Sequence, residues 1–366
     1  MRNRIIATGF FFFLILMIPV AIHAKKDEHN EEHTEKDKKF DPGTFIIDHV
    51  TDAHDWHLVT WNGYHINIPL PVILYSRSEQ NKGLHIFMSS EFCHGHKAYK
   101  GFKLLTEGEN KGDIVEMDKA GHILEKAPYD FSITKNVLEL FFCFILLCWI
   151  FISVAKRYKK RRNQPPKGLQ SMLEPLIIFI RDDVAKAAIG DKKYERFLPF
   201  LLTLFFFIFL TNLMGLLPII PGSVNLTGNI SVTGVLALFT FFITIFSGNK
   251  NYWKHIFNPP GVPWWLKLPL PLMPLIEFLG MFIKPFVLMV RLFANISAGH
   301  IVALGFFSLI FIFGNLNIYA GYGVSPITLI FTIFMTLLEL LVAFIQAYVF
   351  TLLSALYFGM ATEDHH

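Results

Sequence analysis

The sequence predicts an all-α membrane protein of about five transmembrane helices, preceded by a small β-rich domain. Three observations carry that expectation. The 366 residues are 53% hydrophobic with 39 Phe and only 17% charged. Five apolar segments, 137–154, 197–217, 230–246, 272–313 and 325–359, are each long enough to cross a bilayer core of about 30 Å, which takes about 20 helical residues. From residue 43 to 130 the texture changes to short alternating runs broken by Gly, Asn and Ser, a strand and turn pattern.

Arg2 and Arg4 ahead of the apolar run 5–22, with Ala24 at the boundary, read as a signal peptide over 1–24, cleaved or kept as an anchor. Residues 25–42 are too polar to bury anything and read as a disordered tether. The runs Thr44-Phe-Ile-Ile, Trp56-His-Leu-Val-Thr-Trp61, His65-Ile-Asn-Ile-Pro-Leu and His85-Ile-Phe-Met predict strands of an exported domain over 43–130. Its histidines (His49, His54, His57, His65, His85, His94, His96, His122) invite a metal reading, with Asp48, Asp52 and Asp55 nearby. There is no His-Glu-x-x-His or Cys-x-x-Cys spacing to support it, and polar surface histidines explain them equally well. Three scattered cysteines exclude a disulfide framework.

The transmembrane part is expected over 131–361, with a tail over 362–366. Between its first two spans, Ser171-Met-Leu-Glu174-Pro175 reads as a helix start. Residues 176–194 mix apolar positions with Arg181, Asp182, Asp183, Lys186 and Lys192, which suits a helix at the interface. The last two segments are much longer than a span needs, so they are predicted to tilt strongly. Positive charge follows the first span (Lys156 to Arg162) and the third (Lys250, Lys254, His255, Lys267), whereas 218–229 and 314–324 carry none. The positive-inside rule then places the β-rich domain outside and the basic loops and tail inside.

Polar residues on the last two helices carry the functional expectation. Arg291 lies within Phe286-Val-Leu-Met-Val-Arg291-Leu-Phe-Ala-Asn295-Ile-Ser-Ala-Gly299-His300. It cannot shed its proton, and a charge at that depth costs roughly 3 to more than 10 kcal/mol. Nine residues on, His300 points to the opposite face, about 13 Å along the axis; Glu277 and Lys284 lie within about 40° of the Arg291 face. On the final helix Glu339 and Gln346 share a face. Setting Arg291 level with Gln346 in an antiparallel pair brings His300 within about two residues of the Glu339 level. A buried acid and base at one depth can pass protons.

With Asn212-Leu-Met-Gly-Leu-Leu-Pro218, Arg291-Leu-Phe-Ala-Asn295, Ala298-Gly299, Glu339 and Gln346, the chain resembles subunit a of the F-type ATP synthase over about 130–361. The resemblance implies a stator subunit of the membrane sector, itself non-catalytic. Arg291 would face the ring of c subunits, Glu277 would belong to a cytoplasmic proton half-channel, and Asn212, Asn295, His300, Glu339 and Gln346 would line the path. It further implies contacts with the c-subunit ring, the b subunits of the peripheral stalk and membrane lipid, in a whole synthase complex at a bacterial inner membrane. The β-rich domain would then be periplasmic and the C-terminus cytoplasmic, with no cofactor, metal or nucleic acid expected. One departure is that many bacterial members carry Glu where His300 stands and His where Glu339 stands. An ion-coupled secondary transporter also buries Arg, His and Glu, but it calls for internal repeats or paired broken helices, which this sequence lacks. A metal-binding receptor would leave Arg291 without purpose. No phosphate-binding loop of Walker type occurs.

Overall fold

A computed structural model describes residues 42–363, except 62–63, 79–80, 96, 107, 109, 119–121, 125–126, 161–164, 217–223 and 258–271. The signal segment, the tether to residue 41, Lys267 and the tail beyond Glu363 lie outside the described residues. The chain divides into two compact units, one holding Asp52–Leu138, the other Lys39–Thr51 with Glu139–His366.

In the first unit, β1 (Asp55–Trp61) and β2 (Tyr64–Pro69) form an antiparallel ladder. A three-stranded sheet follows, with β3 (Pro71–Ser76) between β4 (Gly83–Met88) and β7 (Tyr129–Asp130). A third ladder pairs β5 (Phe102–Leu104) with β6 (Ile114–Glu116). Alternation along β3 sends Val72 and Leu74 inward, where they pack with Phe87, Phe92, Phe102 and Ile114. Glu116 is 1% exposed, yet its carboxylate accepts hydrogen bonds from the Ser76 hydroxyl at 2.7 Å and from Ser78. That is how a buried charge becomes tolerable.

One expected strand is absent. Thr44-Phe-Ile-Ile lies in helix α1 (Pro42–Val50) instead. A four-residue apolar run cannot separate the helical period from the strand period. Pro42 at the first helical position, with its ring already holding a helical φ, favours the helix.

The second unit contains most of α2 (Lys135–Lys160). It continues with α3 (Leu169–Phe179), which runs on as a π-helix (Ile180–Lys186) and a last turn (Ala187–Ile189). Then come α4 (Tyr194–Leu216), α5 (Ile230–Ser247), α6 (Lys250–Phe257), α7 (Leu272–Leu316) and α8 (Ile318–Thr362). Among the described residues five helices, α2, α4, α5, α7 and α8, are long and apolar enough to cross a membrane. The helix expected at the interface begins at Leu169, just after Gly168 with its positive φ of 66°, and its continuation holds Arg181 and Asp182 in a two-bond pair at 2.8 and 2.7 Å.

The loop expected at 314–324 is nearly all helical. Only Asn317 separates two helices of 45 residues each. Its extended backbone reverses the chain, and its side chain caps α8 by accepting the Tyr319 N–H at 3.0 Å. Gly314 and Gly321 make so tight a return possible. A Cβ added to Gly321 would stand 2.8 Å from the Gly314 Cα. Each long helix measures about 67 Å at 1.5 Å per residue, more than twice a bilayer core.

The core sits where α8 packs on α4 and α7, with Leu201, Phe205, Ile208, Leu288, Leu292, Phe350 and Phe358 buried together. Phe197 stacks on Phe358 at 5.0 Å. Gly359 lets α8 touch the backbone after α3, because an added Cβ would fall 2.1 Å from the Ala188 carbonyl oxygen. The last carbonyl of α8, Thr362 O, accepts from Lys193 Nζ at 2.6 Å and Asn249 Nδ2 at 3.0 Å, so the orphan end of this helix is satisfied from two loops.

An ion pair in the first unit yields a pH prediction. His54 Nε2 stands 2.8 Å from Asp130 Oδ2, while Ser132 N–H donates to Asp130 Oδ1 at 2.8 Å. Burial pushes the Asp130 carboxyl up, but the hydrogen bonds from His54 and Ser132 and the His54 charge outweigh it, and the net shift is downward. A depressed folded pKa adds stability that is complete above the unfolded aspartate value of about 3.9 and lost as pH falls through the folded one. Thermal unfolding of the first unit in the purified full chain should therefore be steady near neutrality and drop below about pH 4. Asp130→Asn should be less stable at pH 7 and lack this acid-side slope; an identical slope in the variant would remove Asp130 as its origin.

Candidate functional site

The site is organised by the register between α7 and α8. Four contacts follow one antiparallel alignment: Gly314 against Gly321 at the hairpin, the Phe306 and Phe331 rings at 5.4 Å, His300 against Glu339, and Lys284 Nζ 5.6 Å from the Tyr357 ring centroid. His300 Nδ1 lies 3.5 Å from Glu339 Oε1, with side-chain exposures of 17% and 9%. Gly299, one residue before, leaves the space: a Cβ there would already touch Glu339 Cγ at 3.6 Å.

In the same register Arg291 falls near the level of Gln346. Gln346 is buried beside Ala343 and Ala347, whereas Arg291 is exposed. So are Ala294, Asn295 and Ala298, which continue the Arg291 face at helical spacing. Leu288, Leu292 and Ile296 on the other side of α7 enter the core. In the turns of α7 before Arg291, Phe286, Val287 and Val290 are exposed too, so the arginine stands on a largely apolar stretch of helix surface.

Asn212, near the end of α4, is 5% exposed and accepts a hydrogen bond from Thr227, which lies in the short 3₁₀ turn Leu226–Gly228. Ser297, one turn before His300, donates to Gly228 O at 3.4 Å. Together these contacts place Asn212, Thr227, Ser297, His300 and Glu339 on four neighbouring elements, α4, the 3₁₀ turn, α7 and α8. The Nδ2 groups of Asn212 and of buried Asn225 find no protein partner among the described residues.

Glu277 stands apart from this group. It lines a cavity of about 380 Å³ with Asn251, Tyr252, His255, Lys284 and Glu363, formed between α6, α7 and the end of α8. Burial first, and then the Glu277 charge, push the Tyr252 phenol above its ordinary value. The cavity thus gathers two acids, a histidine and a lysine at the end of the bundle where Lys193 and Asn249 meet Thr362.

Thr227, Ser297, Tyr252, His255 and Glu363 were not singled out from the sequence as site residues. The polar Asn225-Leu-Thr227 inside an otherwise apolar, uncharged connection was the available signal for one group. For the cavity there was none beyond the basic loop itself. Among the described residues no three His, Cys, Asp or Glu side chains gather as metal ligands.

Comparison with known proteins adds an independent line. A family profile for the ATP synthase A chain matches residues 137–359, and one for a domain of unknown function matches residues 45–132. The chain is 45% identical over 250 residues to an ATP synthase subunit a of Chloroherpeton thalassium, covering 66% of this chain and 71% of the relative. It is 47% identical over 251 residues to an ATP synthase subunit a 2 of Chlorobaculum tepidum, covering 66% and 67%. Against an ATP synthase subunit a of Pelodictyon phaeoclathratiforme it is 42% identical over 286 residues, covering 75% and 80%.

Proposed function

The chain belongs to the ATP synthase A chain family, as a multi-pass subunit a of the proton-translocating membrane sector, and on that premise we propose that it supplies two proton half-channels and the arginine that faces the c-ring. The observation that carries the reading is the exposure of Arg291 on an apolar helix face. Lipid is a costly neighbour for a guanidinium, whereas a carboxylate on an adjoining subunit is a favourable one. The occupant of that face is the c-ring, which the exposed Ala294 and Ala298 allow to approach closely.

A proton enters from the outside through the group of Asn212, Asn225, Thr227 and Ser297, where the Asn212 and Asn225 Nδ2 groups, without a protein partner among the described residues, suit a watered path. The His300 and Glu339 pair passes it to a c-subunit carboxylate. Neutralised, that acid can turn into lipid, because the uncharged form is far cheaper there. Near the end of a revolution it meets the cavity around Glu277 and releases its proton to the cytoplasmic side. Arg291 pairs with the ionised acid and blocks direct flow between the two paths, while Asn295 and Gln346 line its surroundings. Each charge crossing is worth about 2.3 kcal/mol per 100 mV, so several crossings drive one ATP made elsewhere in the complex. The b subunits of the peripheral stalk hold this subunit against rotation. The first unit is periplasmic and the C-terminus cytoplasmic, in a bacterial inner membrane.

Arg291→Ala and Arg291→Gln should abolish proton-driven ATP synthesis in membrane vesicles while the complex still assembles. Lysine, compact and deprotonatable, should rescue poorly. Normal synthesis by an assembled neutral variant would end the stator mechanism.

His300→Ala and Glu339→Ala should each slow proton flow strongly, and the double variant should be little worse than either, because each single change already breaks the pair. The exchange His300→Glu with Glu339→His should recover part of the flow. Multiplicative losses with no recovery would show that the two act separately.

Orientation is open to impermeant thiol reagents in sealed vesicles. A cysteine at Asn317 should react only from outside, and one at Lys160 or Lys254 only from inside; reversed labelling would exchange the assignments of the two paths.

A further inference from the structure

The three-stranded sheet of the first unit is apolar on both faces. Its inner face, through Val72, Leu74 and Phe87, enters the core. On the outer face the register pairs Ile73 with Ile86, Tyr75 with Leu84, and Tyr75 with Tyr129, and Phe131 follows two residues on, held by its N–H to Ile73 O. Leu84 and Ile86 are each 60% exposed and Phe131 66%, with Tyr75 and Tyr129 also exposed. An antiparallel sheet usually turns polar residues outward, and an apolar patch of this kind marks an interaction surface.

Two features identify what meets it. The first turn of membrane-spanning α2, Lys135–Leu138, is part of this same unit: Lys135 N–H donates to Ala53 O at 3.1 Å, and Asn136 N–H to Asp52 Oδ1 at 3.3 Å. Phe131 precedes Lys135 by four residues, so the outer face begins within about 14 Å of the point where the chain enters the bilayer. The turn at the far end of the β3–β4 hairpin carries Arg77, which lies 4.5 Å over the Tyr129 ring, and exposed Lys82. Aliphatic side chains, tyrosines and a basic rim, a few residues of chain from a span, are the composition of a membrane interface, where cations reach headgroup phosphates.

We propose that this face, Tyr75, Leu84, Ile86, Tyr129 and Phe131 rimmed by Arg77 and Lys82, docks on the lipid interface at the membrane surface where α2 begins. The first unit is thereby held flat against the bilayer as a peripheral foot of the subunit. The inference needs only the five spans and stands apart from the half-channel reading.

The test uses the full chain in its complex, reconstituted in liposomes, with Cys93, Cys143 and Cys148 replaced by alanine and a spin label at Leu84→Cys or Ile86→Cys. Labels on this face should collide freely with oxygen and be shielded from a water-soluble nickel chelate, whereas a label at exposed Lys97→Cys should meet the chelate. A chelate-accessible label at 84 and 86 would overturn the proposal, and so would one immobilised and closed to both reagents, which would mark a protein neighbour. The unaltered chain offers a second reading that depends on no substitution. A phospholipid with a photoreactive acyl chain should label peptides covering 83–88 and 129–131 as well as α2, and labelling of α2 without those peptides would equally overturn it.

Discussion

Everything in the membrane unit follows from the antiparallel contact between two helices that are each too long for the bilayer. Helices of about 67 Å cannot stand upright in a core of about 30 Å, so each must lean or leave it in part. Leaning side by side, they fix depth by register. One residue, Asn317, sets that register at the turn, and the Gly314–Gly321 approach locks it. From there Phe306 meets Phe331, His300 meets Glu339 and Lys284 meets Tyr357. A slip of one turn would move every one of these side chains by about 5 Å and separate the acid from the base.

The same register divides the polar side chains into three places. Asn212 with Thr227, and His300 with Glu339, meet one another within the protein. Glu277 and Lys284 open into a cavity at the end of the bundle. Arg291 does neither. Its exposure among Phe286, Val287 and Val290 makes the isolated chain incomplete at one face, and the incompleteness is electrostatic as much as apolar. Small residues on that face, Ala294 and Ala298, remove the bulk that would hold a neighbouring helix away.

How much of this was legible in the sequence varies with the length of the signal. The five spans were, since each sustains an apolar run over many turns. The adjacency of His300 and Glu339 was reachable because helical rise and rotation are constant enough to count along. The one-residue hairpin was not. The segment 314–324 reads as an uncharged connection, yet in an apolar setting its glycines are common within helices, and only tertiary packing selected Asn317 as the break. The strand expected at Thr44-Phe-Ile-Ile failed for want of length, because four residues hold barely one helical turn. The far wall of the Glu277 cavity, built by Tyr252, His255 and Glu363, comes from segments distant in sequence, and no local pattern reports such a meeting.

Arg291 and the outer sheet face of the first unit pose one problem in opposite forms. A charge on an apolar surface is costly in lipid, and an apolar surface on a hydrated domain is costly in water. Neither Arg291 nor the group of Tyr75, Leu84, Ile86, Tyr129 and Phe131 adds its side chains to the buried core, because each is exposed. Both therefore report on surroundings beyond the chain. On the proposed reading, the surroundings of Arg291 contain a negative charge at membrane depth. On the proposed docking, those of the sheet face contain lipid, which the four residues from Phe131 to Lys135, where α2 begins, bring within reach of the chain.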